Sequence, residues 1–320
     1  MYKTISTILA AAFGLAFTAT QAFALDKVRL INSTKVVFEM EHAYAALENG
    51  VFKKNGLDVS IIHGSGGAAT LQTIITASQD VAFGCGVLAV ISAYSKGAPV
   101  RILGSTKRGT GDIYWYVKSN SKIKSLKDLN GGKDLVYSRP GSSTHLTTLF
   151  LKDALKLSAK LVSVGGPSGS RTQVMSGQVD TGWSVYPLNA GLINSGKIRV
   201  IGSGKQAVGL NGVTIRVVVA NSNWLNKNRD AAKRLMRAMY IGQAIAYTSE
   251  KQQRAYAKRW KLKFENINEM DKYVPLSEGS YKPIGKINQL NEMALKFKRT
   301  KKLLTQAQLK ELVHIDGYKP

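Results

Sequence analysis

The chain has 320 residues, 44% of them hydrophobic, with 45 Lys and Arg against 20 Asp and Glu and a formal charge of +25. That length and apolar share support one large domain or two lobes with real cores, and exclude a chain too polar to fold. The single cysteine, Cys85, excludes an internal disulfide and a thiol-built zinc site.

The N-terminus decides which residues belong to the mature fold. Lys3 is followed by an almost wholly apolar run over 5–19 and by Ala22-Phe23-Ala24, the small-x-small pattern a signal peptidase reads. The run of about 15 residues falls short of the roughly 20 that span a bilayer. Residues 1–24 are therefore expected to be a signal peptide cleaved after Ala24, leaving an exported, periplasmic chain whose charge falls by one to +24 with the loss of Lys3. No cysteine stands at the cleavage point to carry a lipid. A basic surface favours anionic partners, and export argues against nucleic acid as one of them.

From Val28 onward short apolar runs alternate with helical segments. VRLINST, LDVSIIHG, DVAFGCG and VRILGST read as strands, and 38–49, 68–77 and 87–96 as helices, a βαβαβαβ order that implies a mostly parallel sheet. The β-prone run IYWYVKS at 113–119 then opens a second α/β set: the helix 143–157, the strand KLVSVGG, the helix 170–177, DTGWSV, the helix 187–195 and IRVIGSG. VTIRVVVAN reads as a return strand. The remainder is mainly helical, with Ala232, Leu235, Met236, Met239 and Tyr240 at helical spacing as one core-facing stripe. Cys85, in VAFGCGVLAV, is expected to be a buried and inert thiol.

Ligands of α/β sheets bind beyond the carboxyl ends of strands, where helix N-termini converge. Polar, glycine-rich segments stand there at 32–34, 64–67, 105–108 and 138–144. At 138–144, Ser142, Ser143 and Thr144 supply more hydroxyls than one N-cap needs, and a helix start is an anion cradle. Arg108, past a strand end, and Arg171, in GPSGSRTQ, are candidates for forked hydrogen bonds to a carboxylate or sulfonate. Trp183 in GWSVYP is a candidate stacking surface, and Tyr114, on the presumed crossing strand, a second one. No P-loop, dinucleotide fingerprint, H-E-x-x-H or G-x-S-x-G motif occurs, so no catalytic residue, metal or cofactor is expected.

Three stretches carry a family resemblance: AYAALENGVFKKNGLDVSII, SLKDLNGGKDLVYSRPGSSTH and VMSGQVDTGWSV. With them the chain resembles the substrate-binding proteins of ABC transporters, in the type II periplasmic group of nitrate-, sulfonate- and taurine-type binders and relatives of the yeast thiamine-pyrimidine synthase. The resemblance implies a two-lobed α/β fold with two crossing strands as hinge, lobe one being 25–113 plus 216–320 and lobe two 114–215. It also implies a monomeric, non-enzymatic receptor that closes on a small-molecule ligand and docks on an inner-membrane ABC permease. In sulfonate-type relatives hydroxyls and amides at helix starts hold the anion, which maps onto Ser65 and Gly66 in lobe one and onto Ser142, Ser143 and Thr144 in lobe two. The chain departs from the group where its first strand runs on as STKVVFEMEHAY, and it lacks the cysteine-rich motif of the pyrimidine synthases. The expected ligand is a small organic anion; the alternative is a neutral heteroaromatic such as a pyrimidine or vitamin precursor.

Overall fold

A computed structural model describes residues 24–267, 270–278, 281 and 283–314. The expected signal peptide lies outside the described residues except for its last residue, Ala24.

The first lobe is built on β1 (Asp26–Asn32), α1 (Glu41–Glu48), α2 (Val51–Lys54), β2 (Leu57–His63), α3 (Gly67–Ile75), β3 (Val81–Gly86), α4 (Val87–Ser95) and β4 (Val100–Arg108). The second holds β5 (Ile113–Lys118), β6 (Asp134–Tyr137), α5 (Ser143–Leu155), β7 (Lys160–Ser163), α6 (Pro167–Ser176), β8 (Gly182–Val185), α7 (Ala190–Asn194) and β9 (Ile198–Ser203). The chain then returns as β10 (Thr214–Asn221), α8 (Ser222–Lys227), α9 (Arg229–Thr248), α10 (Glu250–Trp260), α11 (Met270–Tyr273), α12 (Ile287–Lys296) and α13 (Gln306–Leu312). β5 begins at Ile113 and β10 at Thr214.

The first-lobe sheet has the order β2-β1-β3-β10-β4. β1 pairs parallel with β2 and β3, whereas β10 runs antiparallel between β3 and β4. β3 and β10 are buried along their whole length because both faces are covered: Val81, Phe83, Val218 and Ala220 face the α1 and α9 side, and Ala82, Cys85, Val217 and Val219 the other. This burial accounts for their continuous apolar runs. The second lobe departs from a single parallel sheet: β5 is the middle of an antiparallel sheet ordered β8-β5-β9, and β6 and β7 form a separate parallel pair. The two lobes follow one rule. In each, the strand that enters from the opposite lobe, β10 or β5, is antiparallel to its neighbours.

The helical stripe on α9 packs as expected through Ala232, Leu235, Met236 and Met239, while Tyr240 lies at its edge and is 39% exposed. Cys85 is fully buried, and burial pushes its thiol up to about 12. The chain crosses between lobes at 109–112 and 204–213, which places the end of β3 and the starts of α3, α4, α5 and α6 around one cleft.

Candidate functional site

That cleft holds a cavity of about 450 Å³ lined from both lobes. Lobe one contributes the loop 33–37, Glu39, Met40, residues 64–68, Gly84, Gly86, Ala89 and Arg216; lobe two contributes Ser138, Arg139, residues 141–144, residues 166–169, Trp183, Val185 and Leu188. Four helices therefore begin at its wall: α3 after Gly66, α4 after Gly86, α5 after Ser142 and α6 after Gly166. The first amides of a helix have no carbonyl within it to bond, and its dipole is positive at that end. Pro167 removes one such amide from α6, leaving Ser168 and Gly169.

The two principal jaws are built differently. At α5, Ser142 Oγ caps the amide of His145 at 3.1 Å, and Thr144 Oγ1 accepts from Ser138 N at 2.9 Å and pairs with the Ser138 and Ser142 hydroxyls at 2.8 and 2.9 Å. Two of the three hydroxyls are thus tied into the loop itself. Ser143 and Thr144 line the cavity with amides that have no partner within the helix, and the Ser143 hydroxyl accepts from Arg216 Nε at 3.4 Å. At α3 no side chain caps the helix. Gly66 has φ 118 and ψ 160, a conformation open only to glycine, and a Cβ on Gly64 would stand 2.1 Å from Thr70 Oγ1.

The loop 33–37 is fixed from behind. His63 Nδ1 lies 3.0 Å from the Thr34 carbonyl and its Nε2 2.7 Å from the Tyr44 hydroxyl, while the Tyr256 hydroxyl donates to the Val36 carbonyl. These bonds carry Lys35 at the cavity wall. From lobe two, Arg139 Nη1 donates to the Ser65 carbonyl at 3.0 Å and so joins the two jaws across the cleft. A second tie between the lobes is Arg299 Nη2 to His145 Nδ1 at 3.1 Å, with His145 lying against the Tyr137 ring.

Arg216 is the buried charge of the site. Its guanidinium meets Glu39 at 2.6 Å and Asp112, in the first crossing, at 2.8 Å, and its Nε lies 3.4 Å from Ser143 Oγ. Burial opposes its charge, but the two carboxylates outweigh that cost and hold it protonated. Arg216 therefore links the first-lobe sheet, the crossing and the start of α5, with its own charge already compensated. The sequence analysis passed over it, although one signal was present: it is the only charge in the apolar strand TIRVVVAN, where burial demands a partner.

Of the nine residues singled out from sequence, Ser65, Gly66, Ser142, Ser143, Thr144 and Trp183 line the cavity. Trp183 is 7% exposed and donates from Nε1 to the Gly165 carbonyl at 3.1 Å, which fixes its ring plane. The other three are placed elsewhere. Arg108 donates to the Pro283 carbonyl at 2.5 Å and packs beside Gly285, because β4 runs on past the cleft before it ends. Tyr114 is buried in lobe two with its hydroxyl on the Leu188 carbonyl, one layer behind the wall. Arg171, beyond the first turn of α6, points along the surface to Asn189 Oδ1 at 3.3 Å. Lys35 and Arg139 supply the wall cations that Arg108 and Arg171 do not.

A two-lobed α/β molecule with its cavity between the lobes and helix starts converging on it has the fold of the periplasmic binding proteins. Residues 38–255 match the family described as NMT1/THI5 like, and the chain belongs to that family. No curated protein matches the sequence closely enough to add to this. Among solved structures, the alkanesulfonate-binding protein SsuA from Xanthomonas axonopodis pv. citri, bound to MOPS, is similar with a TM-score of 0.72 at 16% identity, over 91% of this chain and 98% of that one. The periplasmic aliphatic sulphonate binding protein SsuA from Escherichia coli gives 0.68 at 18% identity, over 90% and 97%. The periplasmic nitrate-binding protein NrtA from Synechocystis PCC 6803 gives 0.59 at 19% identity, over 78% and 70%. At these identities the likeness is one of fold.

Proposed function

We propose that the protein is the periplasmic receptor of an ABC importer and binds a small organic anion, a sulfonate or carboxylate, between its lobes. The observation that carries this reading is the convergence of four helix N-termini with Lys35 and Arg139 on one cavity, where the nearest buried cation, Arg216, is already neutralised. Anionic oxygens would be met by the amides of Ser65, Gly67 and Ala68 and of Ser143 and Thr144, the Gly66 amide being bonded to the Ser33 carbonyl at 2.8 Å. Trp183, Val185 and Leu188 give an apolar wall for the rest of the molecule. The volume exceeds what a bare inorganic oxyanion fills, which favours an anion with an organic body.

The mechanism is differential affinity. Ligand contacts drawn from both lobes exist together only when the lobes meet, so the ligand stabilises the closed form by the free energy of those contacts. The Arg139 to Ser65 bond forms in the same movement and contributes about 1 kcal/mol, the scale of a hydrogen bond at a partly wet site. Closure then presents one surface of a monomer, with residues 25–113 and 216–320 as one moving unit and 114–215 as the other, to an inner-membrane permease.

A thermal-shift screen of sulfonates and carboxylates against neutral pyrimidines and cationic metabolites tests the assignment. Stabilisation by one or more organic anions is expected; stabilisation by neutral pyrimidines or cations alone would overturn it. Mass spectrometry of ligand released from the purified protein would identify the molecule.

A further inference from the structure

The excess of positive charge is not spent at the cavity, and it is unevenly distributed over the surface. On α9 and α10 three of the arginines are in ion pairs: Arg234 with Asp26 and Asp230, Arg254 with Glu250, and Arg259 with Glu41 and Glu48. The end of α12 and the segment after it read LKFKRTKKLL over 295–304 without an acid. Lys296, Lys298, Lys301 and Lys302 are all exposed, and none has an ion pair among the described residues. Two large apolar side chains stand out among them, Leu295 at 38% and Leu303 at 46% exposure. Asn291 of α12 bonds Leu304 at both its carbonyl and its amide, 2.8 and 3.0 Å, so the segment folds back along the helix, with Leu303 next in chain to that contact and Leu295 one helical turn beyond Asn291. This part of the surface is therefore cationic and carries two exposed leucines.

We propose that this face, α12 with residues 297–303, binds the surface of an anionic bilayer, the four lysines meeting lipid phosphates and Leu295 and Leu303 entering the headgroup layer. Charge complementarity selects the occupant. Basic residues beside an anionic membrane each add attraction that falls off within a Debye length, and exposed leucines add an apolar contribution that salt does not screen. A soluble anion would engage the lysines but leave the leucines in water. The face also adjoins the cleft. Arg299, within the same segment, bonds His145 and lies beside Gly141 at the cavity wall. A receptor held by this face would keep one lip of its cavity close to the membrane in which a permease resides. The inference rests on exposure and charge, independently of which solute fills the cavity.

Sedimentation of the mature protein with phosphatidylglycerol vesicles, with phosphatidylcholine vesicles as comparison, tests it. Binding to the anionic vesicles alone is expected, weakened but not abolished by 0.5 M salt. Replacing Lys296, Lys298, Lys301 and Lys302 together by Gln should reduce it about tenfold or more, and the double change Leu295→Ser, Leu303→Ser should remove the part that survives salt. A control chain with the exposed Lys251, Lys258, Lys261 and Lys263 of the α10 region replaced by Gln should bind as the parent does. Unchanged melting curves establish that the variants are folded, since all the substituted side chains lie on the surface. Equal losses in the two lysine variants would show attraction by net charge and overturn the proposal. So would no binding to phosphatidylglycerol vesicles, or retention by a soluble polyanion without binding to vesicles.

Discussion

The two jaws of the cavity do the same work with opposite materials. Lobe two builds its helix start from hydroxyls, and most of them are consumed in holding the loop: Ser142 caps the helix and Thr144 fastens Ser138. Lobe one builds its helix start from Gly64, Gly66 and Gly67 with no side-chain cap, so its geometry is set by backbone conformation and close approach alone. A self-capped jaw is rigid before ligand arrives. A glycine jaw exposes more bare amide but tolerates no added atom.

The largest effect should follow from adding a single carbon to the glycine jaw. Gly64→Ala places a Cβ where Thr70 Oγ1 now sits, 2.1 Å away, and Thr70 is fully buried in the first turn of α3. Relieving that overlap has to move α3 relative to β2, at a cost of about 1–3 kcal/mol in stability. Because the displaced atoms are the proposed ligand amides, affinity should fall as well. Denaturant unfolding and calorimetric titration with an anion from the screen measure both. A loss of stability with unchanged affinity would mean that the glycine jaw is a structural turn only.

Ser142→Ala tests the other jaw and should do less. It removes the cap from His145 N and one partner of Thr144, worth about 1 kcal/mol of stability. Affinity should change little, since the hydroxyl is spent on the loop while the amides of Ser143 and Thr144 stay in place. A tenfold loss of affinity without a loss of stability would reverse the comparison and make the hydroxyl a direct ligand.

A smaller difference between the jaws concerns acid. His145 Nδ1 accepts from Gly141 N at 3.3 Å and from Arg299 at 3.1 Å, so it must be unprotonated; burial, with Arg299 adding to it, lowers its pKa to about 4 from the ordinary 6.5. In the unfolded chain it takes a proton near 6.5. Between these values the unfolded state binds more protons, so stability falls as pH drops from 6.5 to about 4 and is flat above. His42, lowered to about 3 by its burial and then by Lys107, and His63, lowered mainly by burial, act in the same direction. Melting temperature followed against pH should decline in acid, and His145→Gln should flatten part of that decline. An unaltered slope would detach His145 from the acid response.

The alternation of strands and helices, the helix start at Ser143 and the approach of Trp183 to the cavity were legible because each rests on local spacing. Tyr114 was misplaced because strand alternation gives two faces without saying what covers either; here both faces of β5 are buried in lobe two. The Arg216, Glu39 and Asp112 cluster joins positions more than 70 residues apart, as Glu39 and Arg216 at a separation of 177 illustrate, and no local pattern encodes such a partner. What local sequence offers is the anomaly alone, one arginine in an apolar strand.

Arg108 supplies the smallest expected effect and the sharpest limit on reading a site from strand ends. Its position after VRILGST suggested a cation over the cleft, and a charge-assisted bond to a ligand would make Arg108→Ala cost roughly 1.5–3 kcal/mol of affinity. In the fold, the cleft is reached by the neighbouring strands while β4 continues toward the first crossing. Lys107 turns inward to Glu278 at 2.9 Å, and Arg108 turns the other way to the Pro283 carbonyl. Strand alternation thus sends consecutive cations to opposite faces, and neither reaches the cavity wall. Arg108→Ala should leave anion affinity within about twofold, an RT ln 2 change smaller than any single hydrogen bond, and should loosen only the segment around Pro283. A loss of tenfold or more in calorimetric titration would require the lobes to close further than they do here, carrying Arg108 to the ligand, and would move the cation of the site from the loops at Lys35 and Arg139 back to the strand end.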